Sequence, residues 1–173
     1  FRKRRNRPKR FYYSSRVYVG TQKATGPEFH VLDVSNPASP ISLGYAEVNA
    51  DVNAIYVNGN TAYIATSADD ELRVLNVADP ANISMVGNYY APGDSEDGKA
   101  LSLVGSKLYL GRLIGGNHDD HDDHHELHIL DISSPSSPIN LGSRNFSSSI
   151  NDLTVRDYLA FLATSDSNNE FQI

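Results

Sequence analysis

The stretch NHDDHDDHHELH, residues 117–128, holds five of the six histidines in the 173-residue chain. Neutral imidazoles and carboxylates are competent ligands for zinc, nickel or copper, and carboxylates alone suit calcium. His118, His121 and His124 recur every three residues, with Asp pairs between them. Together with Asp119, Asp122 and His125 they make the candidate metal set. Neither HExxH nor the DxDxDG pattern of a calcium loop is present, so neither of those geometries is indicated. Two readings stand side by side: a flexible clamp on a divalent metal, or a solvated acidic loop that the fold tolerates.

Other chemistry is scarce. The absence of cysteine removes disulfides, thiolate metal sites and cysteine nucleophiles together. No GxSxG elbow occurs, and the remaining histidine, His30, leaves little material for general acid–base work. A non-catalytic role is the expectation.

The elements that would position these residues follow from internal repetition. One phrase recurs: EFHVLDVSNPASP at 28–40, ELRVLNVADPANI at 71–83, ELHILDISSPSSP at 126–138 and EFQI at 170–173. Before it come AIYVNGNTAYIATS at 54–67, ALSLVGSKLYLGR at 100–112 and DLTVRDYLAFLAT at 152–164. Each of these is an apolar run, a short polar turn and a second apolar run, which is a hairpin signature; NG at 58–59, GS at 105–106 and RD at 156–157 mark the turns. A third strand, a Pro-containing turn and a short fourth strand such as ISLGYAE complete a unit of about 43 residues. The His/Asp stretch lengthens one unit by about a dozen residues and falls between its second and third strands.

Four short antiparallel strands per unit describe a propeller blade, and a lone blade cannot bury both of its faces. The chain reads as an all-β, β-propeller-type array of about four blades, incomplete at both ends. A partial unit at 14–47 is followed by full units at 48–93 and 94–146, the latter carrying the insertion, and by a partial unit at 147–173. Segment RFYYS at 10–14 places Arg10 where the other copies have Ile55, Leu101 and Leu153, so residues 1–13 are not expected to form an inner strand. An open stack would expose two apolar faces, so either the first and last blades complement each other to close a small ring or, the preferred reading, the chain is part of a larger propeller.

The phrases HVLDVSNPASP, RVLNVADPANI and HILDISSPSSP, preceded by VYVGT, AYIAT, LYLGR and AFLAT, resemble the LVIVD-repeat β-propellers. The resemblance covers residues 15–173. It implies a propeller fold and a secreted or cell-surface location in bacteria or archaea, and it implies no particular activity.

Within the repeats several residues are candidates. His128 lies on the strand rather than in the insertion, and its counterparts His30, Arg73 and Gln172 mark a position that accepts any fitting polar side chain. Asp33, Asn76 and Asp131 precede the Pro turn, where a side-chain oxygen accepting backbone N–H groups explains them. Asp94, Ser95, Glu96 and Asp97, with Asp51 and Asp152, would gather at one rim, where loops on a rigid scaffold can bind a ligand. Tyr56, Tyr63, Tyr89 and Tyr90 would serve a carbohydrate-binding propeller, although strand tyrosines are more simply core residues.

Charge divides the chain. Seven of its fifteen basic residues stand in the first ten positions, FRKRRNRPKR. Residues 11–173 carry eight basic and twenty-one acidic side chains, a charge of −13. The body would repel nucleic acid, and only the arm at 1–13, expected to be disordered alone or bound to a partner, could attract it. No apolar run is long enough to span a membrane. These features point to an extracellular structural or interaction module, a surface protein or filament subunit with a protein partner or self-assembly. Metal-dependent and carbohydrate-binding readings are the alternatives.

Overall fold

A computed structural model describes residues 15–92, 96–114 and 125–173. The basic arm, Arg10 and the RFYYS segment lie outside the described residues, as do Asp94, Ser95, His118, Asp119, His121, Asp122 and His124.

Fourteen strands and one short 3-10 turn make up the described chain. They form four antiparallel sheets in strictly sequential order. The first contains β1 (Arg16–Gly20), β2 (Phe29–Asp33) and β3 (Ile41–Ala46). The second contains β4 (Val52–Asn58), β5 (Thr61–Thr66), β6 (Leu72–Asn76) and β7 (Ser84–Tyr89). The third contains β8 (Gly98–Val104), β9 (Lys107–Arg112), β10 (Leu127–Asp131) and β11 (Ile139–Arg144). The fourth contains β12 (Ile150–Arg156), β13 (Leu159–Thr164) and β14 (Phe171–Gln172). Each sheet is one blade of a propeller-like array.

Period-2 alternation explains the stacking, because each strand offers one side chain set to each neighbouring blade. Phe29 and Val31 pack against Ala62, Ile64 and Leu75 of the second blade. From the other face of that blade, Tyr63, Ala65, Leu72 and Val74 meet Leu108, Leu110 and Leu130. Ala100 and Leu127 of the third blade then meet Ile150, Leu153 and Leu162 of the fourth. The first strands of successive blades also touch: Val155 N donates to Ser102 Oγ at 3.1 Å, and Asn53 Nδ2 to the Gly98 carbonyl at 2.8 Å.

Irregularities repeat as faithfully as the strands. The pairing of third with fourth strand slips between Val31 and Leu32, Val74 and Leu75, and Ile129 and Leu130. A bulge at one fixed place re-aims each outer strand in the same way. Gly44 and Gly87 lie in those outer strands. A Cβ at Gly44 would come within 1.7 Å of the Pro80 carbonyl oxygen, and one at Gly87 within 2.3 Å of that of Pro135. The Pro turn of each blade therefore seats on the bare backbone of the blade before it. Gly142, the third copy, has nothing within 4 Å.

The hairpin turns differ by one residue from the sequence reading in two cases. The central pairs are Gly59–Asn60 and Asp157–Tyr158, with Asn58 paired to Thr61 and Arg156 to Leu159. Gly105–Ser106 falls where the sequence places it. The required positive φ explains the shift in the first hairpin, since Gly59 adopts +59°.

Candidate functional site

The glutamate that opens each repeated phrase is the element from which the site is built. Glu28, Glu71 and Glu126 are all fully buried, at the junction between a rim loop and the third strand of a blade. Each carboxylate accepts backbone N–H groups from the segment leaving the outer strand. Glu28 Oε2 takes Val48 N at 2.9 Å and Asn49 N at 3.0 Å. Glu71 Oε2 takes Ala91 N at 2.8 Å, and Glu126 Oε2 takes Phe146 N at 2.6 Å. The segments so held include Asn49 and Ser147, both at left-handed φ (60° and 54°), so the carboxylate stabilises a turn that few non-glycine residues adopt. Burial works to raise the Glu28 carboxyl, but its backbone donors outweigh that and hold it below its ordinary range.

At the second of these glutamates the blades add a charge. Arg112 ends β9, at the repeat position held elsewhere by Thr21, Thr66 and Thr164. Its fully buried guanidinium crosses to the second blade, where Nη2 meets Glu71 Oε1 at 2.7 Å. Nη1 lies 3.7 Å from Glu96 Oε2 and donates to the His125 carbonyl at 3.2 Å. His128, on β10, donates its Nε2–H to the same carbonyl at 2.9 Å, and its Nδ1 is hydrogen-bonded with the Tyr89 hydroxyl at 3.2 Å. A carbonyl can only accept, so Nε2 carries a proton.

Electrostatics follow from burial. Desolvation pushes Glu71 above the ordinary carboxylate range, against the pull of the Ala91 N–H and Arg112. Burial, with Arg112 second, takes His128 down to about 4. Burial, with Glu71 second, takes the Tyr89 phenol up to about 12. The assembly therefore holds a cation among two carboxylates, a neutral histidine and a neutral phenol. Its geometry clamps the base of the His/Asp insertion, because both Arg112 and His128 grip the carbonyl of His125, the residue on which the described chain resumes.

Of the candidate metal set, His125 alone falls among the described residues. It is half-buried, and its ring stands edge-on to His128 at 6.4 Å. Among the described residues no group of three or more His, Asp or Glu side chains is placed to hold a metal ion. His128 is more deeply placed than its interchangeable counterparts suggest: it is fully buried, whereas His30, Arg73 and Gln172 are partly exposed. Asp33, Asn76 and Asp131 each accept the N–H two residues on, from Ser35, Ala78 and Ser133, at 2.7, 3.0 and 2.8 Å. They are turn caps.

At the rim, Asp51 Oδ1 accepts Lys23 N at 2.7 Å. The nearby Asp97 is raised by burial first and then by the charge of Asp51. Asp152 is exposed and accepts its neighbour Leu153 N at 2.9 Å. Tyr63 and Tyr89 are core residues between the second and third blades, while Tyr56 and Tyr90 are exposed. Sequence reasoning missed the roles of Arg112 and the glutamates. The available signal was a charged residue at the head of every copy of an otherwise apolar strand, and one Arg where the copies have Thr.

Among curated proteins none matches this chain. Among solved structures, the computationally designed Ika4 protein superimposes with a TM-score of 0.63 at 15% identity, covering 90% of this chain and 82% of that one. At that identity the likeness speaks to the fold alone. The LVIVD repeat model matches residues 17–46, 50–91 and 122–145, which is more than half of the sequence. Four sheets in repeat register, and three successive matches to the repeat that defines their sequence, place the chain in the LVIVD-repeat family.

Proposed function

We propose that the protein is a non-catalytic structural and interaction module of an extracellular or cell-surface assembly, working by stacking its outer blades onto further blades of the same pattern, whether of a longer polypeptide or of a second copy. The observation that carries this reading is the outward face of the fourth blade. Phe161, Ala163 and Phe171 occupy the register that Tyr63, Ala65 and Leu72 occupy in the second blade, where it is buried against the next one. On the fourth blade the same register is open: Phe171 is 63% exposed and its neighbour Leu159 51%. Phe161 and Phe171 stack on each other at 6.3 Å, making a coherent apolar surface. The first blade presents Val17, Val19 and Leu32 in the register that Ala62, Ile64 and Leu75 use to receive a preceding blade. Such a face-to-back contact is heterologous and extends into rings or filaments. The extracellular setting rests on the family resemblance, and the acidic rim loops would remain available to solvent.

Sedimentation velocity over a concentration series tests the reading. Wild type is expected to shift to larger species as concentration rises, and Phe161→Asp/Phe171→Asp to stay at the smallest species with an unchanged far-UV CD spectrum. A wild type that shows one concentration-independent species, or a double variant that associates equally well, overturns it.

A further inference from the structure

We infer that the cleft between the β8–β9 and β12–β13 hairpins is a binding site for a neutral saccharide. The cleft has a volume of about 480 Å³, within the roughly 300–1,000 Å³ typical of small-molecule sites. Tyr109 and Tyr158 line it, with Lys107, Ser106 and Asp157 contributing polar groups. Val104 and Val155, from the first strands of the two blades, supply apolar surface.

Tyr158 is the residue that the fold does not explain. It sits second in a two-residue turn with φ of +69°, after Asp157 at +50°. Such a turn favours Gly, Asn or Asp, and a bulky aromatic there is a conformational outlier. The equivalent positions in the other hairpins carry Asn60 and Ser106. Its side chain is fully exposed, so packing against the described protein does not offset the strain. A strained, exposed aromatic beside a formed cleft is placed for contact with something else. Tyr109, by contrast, is anchored: it is half-buried and packs on the core between the third and fourth blades.

The lining selects the ligand class. Lys107 and Asp157 bring one positive and one negative charge, and Asp157 is also 3.7 Å from Arg156 Nε. An anion would meet Asp157 and a body of charge −13, whereas an ammonium group would meet Lys107. A neutral molecule with one apolar face and many hydroxyls suits two phenol rings flanked by an ammonium, a carboxylate and a hydroxyl. A pyranose ring has that shape. The site shares no residue with the Phe161–Phe171 face and stands whether or not the protein self-associates.

The chain has no tryptophan, and two of its ten tyrosines line the cleft, so a tyrosine fluorescence change that is lost in Tyr158→Ala reports on its occupancy. Fluorescence and calorimetric titrations would use glucose, galactose, mannose and N-acetylglucosamine, with cellobiose, lactose and chitobiose, and sialic acid and choline as charged comparisons. Saturable binding of at least one sugar is expected, weakened by about tenfold or more in Tyr158→Ala and in Lys107→Ala. Both variants should keep the wild-type CD spectrum and a Tm no lower than that of wild type. Absence of saturable binding across the panel overturns the inference. So do equal affinities in wild type and Tyr158→Ala, and preferential binding of sialic acid or choline over every neutral sugar.

Discussion

Replacing Arg112 by Met keeps much of the side chain's length and apolar stem while deleting the guanidinium. Glu71 is then left fully buried with the Ala91 N–H at 2.8 Å but without the cation at 2.7 Å. Glu96 loses the same charge at 3.7 Å. Removing one member of a buried ion pair typically destabilises by about 3–5 kcal/mol, because the other charge stays buried without compensation. For a chain of this size about 2–4 °C of Tm accompanies each kcal/mol, so a fall of about 6–20 °C is expected. The loss should depend on pH. Glu71 already lies above its ordinary value of 4.5 in the fold, and removing Arg112 raises it further. A carboxyl raised on folding favours the folded state below its unfolded pKa, and that contribution is lost as pH rises through the folded value. The gap between variant and wild type should therefore narrow on acidification from pH 8 towards 4.5. Urea unfolding followed by far-UV CD measures it, and adding Glu71→Gln to Arg112→Met should recover part of the loss by removing the stranded charge. A variant within about 1 kcal/mol of wild type at pH 7, or a double variant worse than the two single losses combined, would refute the argument.

Three further outcomes follow from the same geometry. His128 goes from 6.5 unfolded to about 4 folded; its contribution is present above 6.5 and is lost as pH falls towards 4, by about 3 kcal/mol. Glu71 titrates with the opposite sign, so the acid-induced loss is best read as the difference between wild type and His128→Gln, which a pH series of urea midpoints supplies. Gly87→Ala places a methyl 2.3 Å from the Pro135 carbonyl oxygen and should lower stability by about 1–3 kcal/mol. Gly142→Ala, with open space around it, should be neutral or slightly stabilising, and equal losses in thermal melts would contradict the seating of the Pro turns. Stability here is assigned to blade faces rather than to a metal, so EDTA should leave Tm unchanged. A rise in Tm on adding zinc, nickel, copper or calcium, abolished by deleting residues 117–124, would instead assign a metal to the His/Asp loop.

Repetition made the fold legible. The EFHVLDV, ELRVLNV and ELHILDI phrases fix the third strand of each blade, and the parity of their apolar residues reveals that both faces are covered. The turn caps Asp33, Asn76 and Asp131 were equally readable, because a side chain two residues before an N–H acts locally. Turn centres were less so: a dipeptide such as NG shows that a turn exists, while the register of the flanking strands decides which two residues occupy it. The Arg112 cluster was hidden for a different reason. Glu71 and Arg112 are 41 residues apart and meet only because two blades face each other, and no local pattern reports which side of a blade a strand's last residue will face. His128 misled for the same reason: its interchange with His30, Arg73 and Gln172 marked only a position that accepts any fitting polar side chain, where the second blade supplies Tyr89 and the third a buried guanidinium.

Near-identical layers raise a problem of order: a face made to receive one neighbour will accept another of the same pattern, and a chain of such layers can assemble with its pieces transposed or borrowed from a second molecule. Grease alone does not tell the layers apart. The single arginine among threonines gives one junction a cation that its sisters lack, although Glu28 and Glu126 would offer a transposed third layer the same buried carboxylate. Arg112 thus marks one junction of a self-similar polypeptide without dictating the order of its layers, and exchanging it for the threonine of its sister copies should show itself in a lower melting point.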